Sequence, residues 1–394
     1  MKIAMIGQKG LPAIYGGIEK HVEGLSKELV DLDHEVFVYT RPYYSIAGQK
    51  KFQGVNLISL PSIHSKHLDA ISHTFLASVH ALFRDYDIIH YHGVGPALLS
   101  WLPRLFKSGA RVIATFHCID RTHQKWGWFA RLMLRIGEWA ALNFPHQTIV
   151  ISQTLNYYCR QNYNRDANYI PYATPQTELI KDDADIKELF GLTKDSYFLS
   201  VSRLIKHKGL HYLIKAYRLL NTDKKLVIVG DSSFTDDYVK GLKSLAANNP
   251  NIIFTGWQSG KILAELFSNA YAFVHPSESE GLPMSVLEAM AYGNGVLVSD
   301  ILEHLEAIDN RVNEYGFTFK NKEVNDLRKQ MQFLNNNPAL VKEAGQNAKE
   351  FVLENYNWQK VADRTADLYQ EALNQRTAPG KLRTALRGVR FFHW

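Results

Sequence analysis

Two glutamates flank a glycine–proline turn in the second half of the chain. Glu280 precedes Gly281, Leu282 and Pro283, and Glu288 lies eight residues beyond Glu280. Pro283 suits the first turn of a helix, so the amides around it would point free donors at a ligand, with the positive end of the helix dipole behind them. Each carboxylate can accept hydrogen bonds from two hydroxyls. The spacing alone is common, but its strand–turn–helix setting predicts a site for phosphate groups or for sugar hydroxyls.

A basic loop follows another predicted strand. It contains Arg203, whose planar guanidinium suits bidentate contact with phosphate oxygens, and Lys208, which adds a compact positive charge. By itself, such a segment is most often an ordinary basic loop in front of a helix. Beside the Glu280 loop, it predicts that the two loops together hold a nucleotide diphosphate.

The first half offers two further loops. The segment 7–19 lacks the GxGxxG spacing of a dinucleotide fingerprint, but Gly16 and Gly17 would let a ligand approach the backbone closely, unless they only serve a turn. His117 follows another predicted strand, from which its ring could donate to a sugar hydroxyl or to a phosphate. We expect its neighbour Cys118 to be an inert thiol rather than a nucleophile.

The histidines and cysteines do not predict a metal site. His90 and His92 share one face of a predicted strand, but no acidic residue or cysteine accompanies them at ligand spacing. The chain has two cysteines, which are too few for a disulfide framework or a multi-cysteine zinc site. A reducing cytoplasm is therefore the expected location.

Strands and helices alternate along the whole chain. The helix after the first strand is marked by apolar residues at spacings of three and four between Ile18 and Leu32. Short apolar runs that end in turn residues predict eleven strands, at 2–7, 35–40, 55–60, 88–91, 112–116, 148–152, 198–202, 226–230, 252–254, 272–275 and 296–299. This repeated pattern predicts an α/β protein whose parallel sheets are covered by helices on both faces.

The length of 394 residues suggests two or three domains, and two parallel sheets fit it better than one sheet of eleven strands. A segment that contains Pro171 and Pro175 reads as an extended linker and marks the boundary. We therefore predict domains at 1–172 and 173–375, followed by a basic amphipathic tail at 376–394. Because ligands bind at the carboxyl ends of parallel strands, the site is expected in the cleft between the domains.

Positive charge is concentrated in the first domain and in the tail. Residues 101–165 carry nine basic and two acidic side chains, and four basic residues but no acidic one follow residue 380. This distribution favours an anionic partner such as lipid headgroups or phosphorylated ligands, although a solvated face without a partner is an equal alternative for 101–165. Nucleic acid is not expected, since no recognition helix is evident and the second half is acidic.

Two segments, 125–139 and 381–394, mix aromatic, apolar and basic residues. Such mixtures are typical of helices at a membrane surface. We expect 125–139 to pack within its domain with its basic residues exposed, and the tail to contact a membrane or a partner. No run approaches the ~18 consecutive apolar residues of a transmembrane helix.

Taken together, these loops resemble those of a known family. The segment 280–288 resembles the E-x7-E motif of retaining glycosyltransferases of the GT-B fold, specifically glycosyltransferase family 4, and Arg203 with Lys208 resembles the arginine–lysine pair of that family. The segment 15–19, Tyr-Gly-Gly-Ile-Glu, resembles the first loop of bacterial members that build exopolysaccharide, capsule or O-antigen. The resemblance implies two Rossmann-like domains that face each other across a cleft, with the acceptor on the first domain and the donor on the second.

The resemblance also implies a role for each candidate residue. Arg203 and Lys208 would bind the donor diphosphate and stabilise the charge on the departing nucleotide. Glu280 would hold the hydroxyls of the donor sugar, with help from the backbone amides of Gly281 and Leu282. The other implied contacts are those of Glu288 with the ribose, of Gly16 and Gly17 with the diphosphate, of His117 with the transferred sugar, and of Gly256, within 254–257, with the base.

The implied activity is the transfer of a hexose or deoxyhexose, with retention, from a nucleotide-diphosphate sugar to a saccharide acceptor. The acceptor would be lipid-linked at the inner face of the cell membrane, and neither a metal ion nor an organic cofactor is expected. Two alternatives remain open, a metal-free nucleotide-sugar epimerase and a non-catalytic nucleotide-sugar-binding protein. The chain departs from the family at Gly295, where many relatives have proline, and at 301–306, where a glycine pair is absent. Both departures lie where the donor pocket is shaped, so the resemblance does not name the sugar.

Overall fold

The computed structural model describes residues 1–375 apart from 15, 46–47, 66–67, 120, 122–126, 175–178, 181, 233–234 and 248. The chain forms two compact units, one of Met1–Ala173 together with the helix that begins at Trp358, and one of Thr174–Asn357. The break after Ala173 is one residue beyond the predicted boundary. The predicted tail at 376–394 lies outside the described residues.

The first unit is built on a sheet of eight strands. They are β1 (Lys2–Ile6), β2 (Glu35–Thr40), β3 (Lys51–Phe52), β4 (Val55–Ser59), β5 (Ile88–His92), β6 (Arg111–Phe116), β7 (Gln147–Val150) and β8 (Asn168–Tyr169). Their order in the sheet is β3–β4–β2–β1–β5–β6–β7–β8. All neighbours are parallel except β3 and β4, which are antiparallel. The six predicted strands of this half are confirmed, whereas β3 and β8 were not predicted because they are too short to show a periodicity.

Helices cover both faces of this sheet. They are α1 (Gly17–Asp31), α2 (Asp69–Leu82), α3 (Val94–Ala97), α4 (Trp101–Phe106), α5 (Trp128–Asn143) and α6 (Gln153–Tyr163). The connection from β1 to β2 runs along the sheet in the direction opposite to those from β4 through to β8. Since such connections are right-handed, α1 lies on one face of the sheet and α2 to α6 lie on the other.

The second unit has a sheet of six parallel strands. It begins with α7 (Ala184–Phe190), and its strands are β9 (Tyr197–Val201), β10 (Lys225–Val229), β11 (Ile252–Gly256), β12 (Ala272–His275), β13 (Val296–Ser299) and β14 (Phe317–Phe319). The helices between and after them are α8 (Leu210–Tyr217), α9 (Asp236–Ala246), α10 (Gly260–Ser268), α11 (Met284–Ala291), α12 (Leu302–Ala307), α13 (Val324–Asn336) and α14 (Pro338–Asn355). The five strands predicted in this half are confirmed, and β14 is additional.

The strand order of the second sheet places two loops side by side. The order is β11–β10–β9–β12–β13–β14. The strands β10 and β11 therefore lie on one side of β9, and the later strands, beginning with β12, lie on its other side. The loops after β9 and β12 therefore leave adjacent strand ends on opposite sides of a topological switch point. Ligands of open parallel sheets bind at such a point.

The last described helix, α15 (Trp358–Asn374), belongs to the first unit. Its Trp358 ring packs on α1, where a Cβ atom on Gly24 would come within 2.2 Å of the indole. The hydroxyl of Tyr369 lies 2.6 Å from Nδ1 of His90 on β5. The predicted second domain, which ran to residue 375, is therefore too long, because the residues that complete the core of the first unit come from the end of the chain.

Candidate active site

The loops after β9 and β12 contact each other through their backbones. The amide of Glu278 donates to the carbonyl of His207 at 2.7 Å, and the hydroxyl of Ser277 donates to the same carbonyl at 3.2 Å. Gly209 has φ +69°, and a Cβ atom there would lie 1.9 Å from the carbonyl oxygen of Pro276. Only glycine permits this approach, which is why the basic loop ends in a glycine.

This approach brings Lys208 and Glu280 together. Nζ of Lys208 donates to Oε1 of Glu280 at 2.5 Å, and Nε2 of His275, at the end of β12, donates to the same oxygen at 2.8 Å. The side chains of Lys208 and Glu280 are only 14% and 9% exposed. Neither of these two hydrogen bonds uses Oε2 of Glu280, so the carboxylate is held firmly through one oxygen while the other can accept a ligand hydroxyl.

The surroundings keep Glu280 ionised. Burial alone would raise the pKa of Glu280, but the charge of Lys208 and the hydrogen bond from His275 hold it well below its usual range. Burial also lowers the pKa of His275, which the carboxylate partly offsets. Near neutral pH the site therefore contains a carboxylate, an ammonium and a neutral imidazole that orients the carboxylate.

A second histidine lies beside this group. Nδ1 of His304, at the start of α12, lies 2.9 Å from the hydroxyl oxygen of Ser299 and 3.0 Å from the carbonyl oxygen of the same residue. The hydroxyl of Ser299 in turn donates to the carbonyl of Ser277 at 2.5 Å. These bonds make Nδ1 the protonated nitrogen of His304. Burial lowers the pKa of His304 to about 3, and its ring packs edge-on against His275 with 5.4 Å between centroids. His304 is thus part of the buried support beneath Glu280.

Three side chains of this group, two imidazoles and a carboxylate, are of the types that bind metal ions. Ligand atoms of His275, Glu280 and His304 lie within 4.8 Å of one another. Oε1 of Glu280 already accepts from the ammonium of Lys208 and from the N–H of His275, so a positive charge is already present at this carboxylate.

The other predicted residues of the second unit lie around these loops. Arg203 is exposed in the loop after β9, Glu288 is half-buried within α11, and Gly256 ends β11 with φ +71°. Gly281 and Leu282 are buried in the loop before α11. The prediction of free amides needs one correction: α11 begins at Met284, after Pro283, and the Met284 amide donates to the carbonyl of Leu282 at 2.9 Å.

The predicted residues of the first unit lie at the carboxyl ends of its strands. Gly16 caps α1 with φ +107°, and Gly17 is the first residue of that helix. His117 is buried, with Nδ1 at 2.6 Å from the hydroxyl of Tyr172 and Nε2 at 3.3 Å from Nδ1 of His92. Its ring therefore belongs to a buried cluster, and a contact with a sugar would have to replace one of these hydrogen bonds.

Two family models match most of the chain between them. The model described as Glycosyl transferases group 1 matches residues 182–351, which include both loops of the Lys208–Glu280 site. The model described as Glycosyltransferase Family 4 matches residues 15–171. The chain is a family 4 glycosyltransferase.

Known proteins resemble this glycosyltransferase over about half to nearly all of its length. An uncharacterized glycosyltransferase of Methanocaldococcus jannaschii is 25% identical over 95% of this chain and 99% of its own. The N,N'-diacetylbacillosaminyl-diphospho-undecaprenol alpha-1,3-N-acetylgalactosaminyltransferase of Campylobacter jejuni is 29% identical over 48% of this chain and 50% of its own. The crystal structure of Anabaena HepE in complex with UDP and glucose has a TM-score of 0.79 at 18% identity, and the match covers 94% of this chain and 100% of that one.

These matches confirm the predicted GT-B fold of the glycosyltransferase, with two parallel-sheet α/β domains. Within the part of the chain that the structure describes, no helix is both long and apolar enough to cross a bilayer. The residue that sequence reasoning missed in the site is His275. The available signal was its position as the last residue of a strand, directly before the Glu280 loop.

Proposed function

We propose that this glycosyltransferase moves a hexose or deoxyhexose, with retention and without a metal ion, from a nucleotide-diphosphate sugar to a lipid-linked saccharide during bacterial polysaccharide synthesis. The observation that carries the proposal is the buried Lys208–Glu280 pair at the switch point of the second sheet. It combines a cation for a leaving diphosphate with an oriented carboxylate for sugar hydroxyls.

On the donor side, Lys208 and the exposed Arg203 bind the diphosphate, and Glu280 accepts hydrogen bonds from the sugar through Oε2. The positive charges of Lys208 and Arg203 stabilise the negative charge that develops on the nucleotide as the glycosidic bond breaks. Glu288 holds the ribose and the backbone near Gly256 meets the base. The solved relative with UDP and glucose supports a nucleotide-diphosphate sugar as the class of donor.

The chemical step we propose is a same-face substitution. The bond between the anomeric carbon and the diphosphate oxygen breaks, and its electron pair leaves with the nucleoside diphosphate. The acceptor hydroxyl forms the new bond on the face that the diphosphate leaves, and its proton passes to a phosphate oxygen. This route needs no enzyme nucleophile, which agrees with the engagement of Glu280 by Lys208 and His275.

On the acceptor side, we propose that the first domain binds a saccharide carried on an anionic lipid at the inner face of the cell membrane. Support comes from the basic segment 101–165, with nine basic and two acidic residues. Further support comes from the printed name of the Campylobacter jejuni relative, which specifies a diphospho-undecaprenol-linked saccharide. The opposite charges of the basic segment and of an anionic lipid favour contact between them.

The test is a donor screen followed by analysis of the product. UDP-, GDP- and dTDP-sugars are tested for thermal stabilisation, and the best donor is incubated with lipid-linked saccharides with and without EDTA. We expect release of nucleotide that depends on acceptor, a product with the donor's anomeric configuration by NMR, and no effect of EDTA. Donor consumption without acceptor would indicate an epimerase, and binding without turnover would indicate a binding protein. Inversion, or inhibition by EDTA, would refute the corresponding part of the proposal.

A further inference from the structure

The first part of α5 is apolar and basic, yet it is not buried. Its nine residues from Trp128 to Ile136 comprise seven apolar side chains and two arginines, with no acidic residue. None of the nine is buried, and burial begins at Gly137, where a Cβ atom would lie 2.5 Å from the carbonyl of Val94. The expectation that 125–139 packs within its domain is therefore wrong for this part of the helix, although its arginines are exposed as predicted.

The exposed side chains form an ordered surface. Trp128 and Phe129 are 78% and 61% exposed, and Leu132 and Ile136 are exposed in turn. At 3.6 residues per turn, positions 128, 132 and 136 form one row along the helix, and Arg131 and Arg135 form the row beside it. The helix thus presents an apolar stripe bordered by positive charge, which is the composition of helices that lie in a membrane interface.

The same face of the sheet carries a second surface of this kind. Leu105 and Phe106, at the end of α4, are exposed, and Arg104 and Lys107 lie beside them in the sequence. Because α4 and α5 follow consecutive right-handed connections, they cover the same side of the first sheet. Monomeric proteins rarely leave extended apolar surface in water unless it binds something.

We propose that the exposed sides of α4 and α5 dock on a bilayer that contains anionic phospholipid. The aromatic and aliphatic side chains would enter the interface, and the arginines would contact the headgroup phosphates. The charge of the surface selects this partner, since residues 128–136 carry two arginines and no acid to offset them. A second copy in a symmetric dimer through the same surface would set arginine against arginine.

This inference rests on the proposed function in one respect, namely that a lipid-linked acceptor would bring the enzyme to a membrane. Lipid binding is measured without turnover, and turnover is measured separately with a water-soluble acceptor. Failure of one can therefore be distinguished from failure of the other.

The experiment is flotation of the full chain with vesicles of phosphatidylcholine, with and without phosphatidylglycerol, at low and high salt. Two double variants alter the surface, Trp128→Ala with Phe129→Ala and Arg131→Glu with Arg135→Glu. Their matched controls alter exposed residues of the second unit, Leu189→Ala with Leu219→Ala and Lys240→Glu with Lys243→Glu. Thermal unfolding and sedimentation velocity are recorded for every variant.

We expect wild-type chain and both controls to bind vesicles that contain phosphatidylglycerol. The arginine variant should bind at least about thirtyfold more weakly at low salt, since each basic residue near such a surface contributes about a factor of five and the two added glutamates are repelled by it. The aromatic variant should bind about tenfold more weakly in both salts. Wild-type affinity in either surface variant would overturn the proposal. So would a concentration-dependent dimer that the aromatic variant abolishes while vesicle binding is unchanged.

Discussion

Replacing Lys208 with methionine should destabilise the second unit, because Glu280 would remain buried without its cation. The two side chains are 14% and 9% exposed and their charged atoms are 2.5 Å apart. Removing one partner of a buried ion pair costs about 3–5 kcal/mol. Since both groups retain some solvent contact, we expect the lower end, about 3 kcal/mol. For a unit of this size that corresponds to a fall of about 6–12 °C in Tm.

The loss of unfolding free energy in Lys208→Met should also depend on pH. In the folded wild-type chain the pKa of Glu280 is lower than in the unfolded chain. The ionised Glu280 therefore stabilises the fold fully above its pKa in the unfolded chain, and this stabilisation is lost as pH falls through its pKa in the folded chain. In the variant, burial would raise the pKa of Glu280, so the penalty is present at neutral pH and is relieved as pH falls through that raised value. The difference in unfolding free energy between the two proteins should therefore be largest at neutral pH and should shrink in acid.

Calorimetry at several pH values measures this difference, and Lys322→Met is the matched control. Lys322 pairs with Glu278 of the same loop at 3.2 Å, but its side chain is 54% exposed, so we expect a loss below about 1 kcal/mol. The double variant Lys208→Met with Glu280→Gln should recover part of the loss, because no buried charge remains unpaired. A loss in Lys208→Met no larger than that in Lys322→Met, or one that does not change with pH, would refute the reasoning.

Three further predictions concern Arg203, Gly209 and Tyr172. Arg203→Ala should change stability by less than about 0.5 kcal/mol, since Arg203 is exposed, while donor turnover falls about a hundredfold; equal turnover would remove Arg203 from the site. Gly209→Ala should cost more than about 2 kcal/mol and abolish turnover, because its Cβ would meet the carbonyl of Pro276; an unchanged Tm would contradict this. Tyr172→Phe removes the hydroxyl 2.6 Å from Nδ1 of His117 and should lower both the unfolding free energy, by about 1 kcal/mol, and kcat. A normal kcat would argue against a contact of His117 with the sugar.

The individual loops of the site could be predicted from the sequence, but the contact between them could not. Strand ends, the glycine–proline turn and the basic loop are local patterns, and each was found where the structure has it. The contact between Lys208 and Glu280 depends on β9 lying beside β12, although two strands come between them in the chain. Strand order is a property of tertiary packing, and the family resemblance rather than the pattern indicated that these loops share a ligand.

His275 shows a different limit of sequence reasoning. It ends a buried apolar strand, where a histidine is most simply interpreted as a core residue with an internal hydrogen bond. Its partner, Glu280, lies five residues further along a loop whose path has no periodicity. The burial of both groups, which determines how strongly they interact, becomes visible only in three dimensions.

The exposed part of α5 shows why amphipathic segments are ambiguous. The same mixture of aromatic, aliphatic and basic residues suits a helix that packs and a helix that binds lipid. What separates the two is whether the stripe faces a neighbour. In the structure the buried residues of α5 begin at Gly137, whereas Trp128, Phe129 and Leu132 are exposed.

The position of α15 has a consequence for how the polypeptide matures during synthesis. Val361, Leu368 and Tyr369 share a core with Ile3 and Met5 of the first strand. A nascent chain therefore cannot complete the hydrophobic core of its first unit until α15 has been synthesised, after the whole of the second unit. We expect the ribosome-bound chain to depend on holding factors until α15 emerges, and a premature stop before residue 358 to release a product that proteases remove.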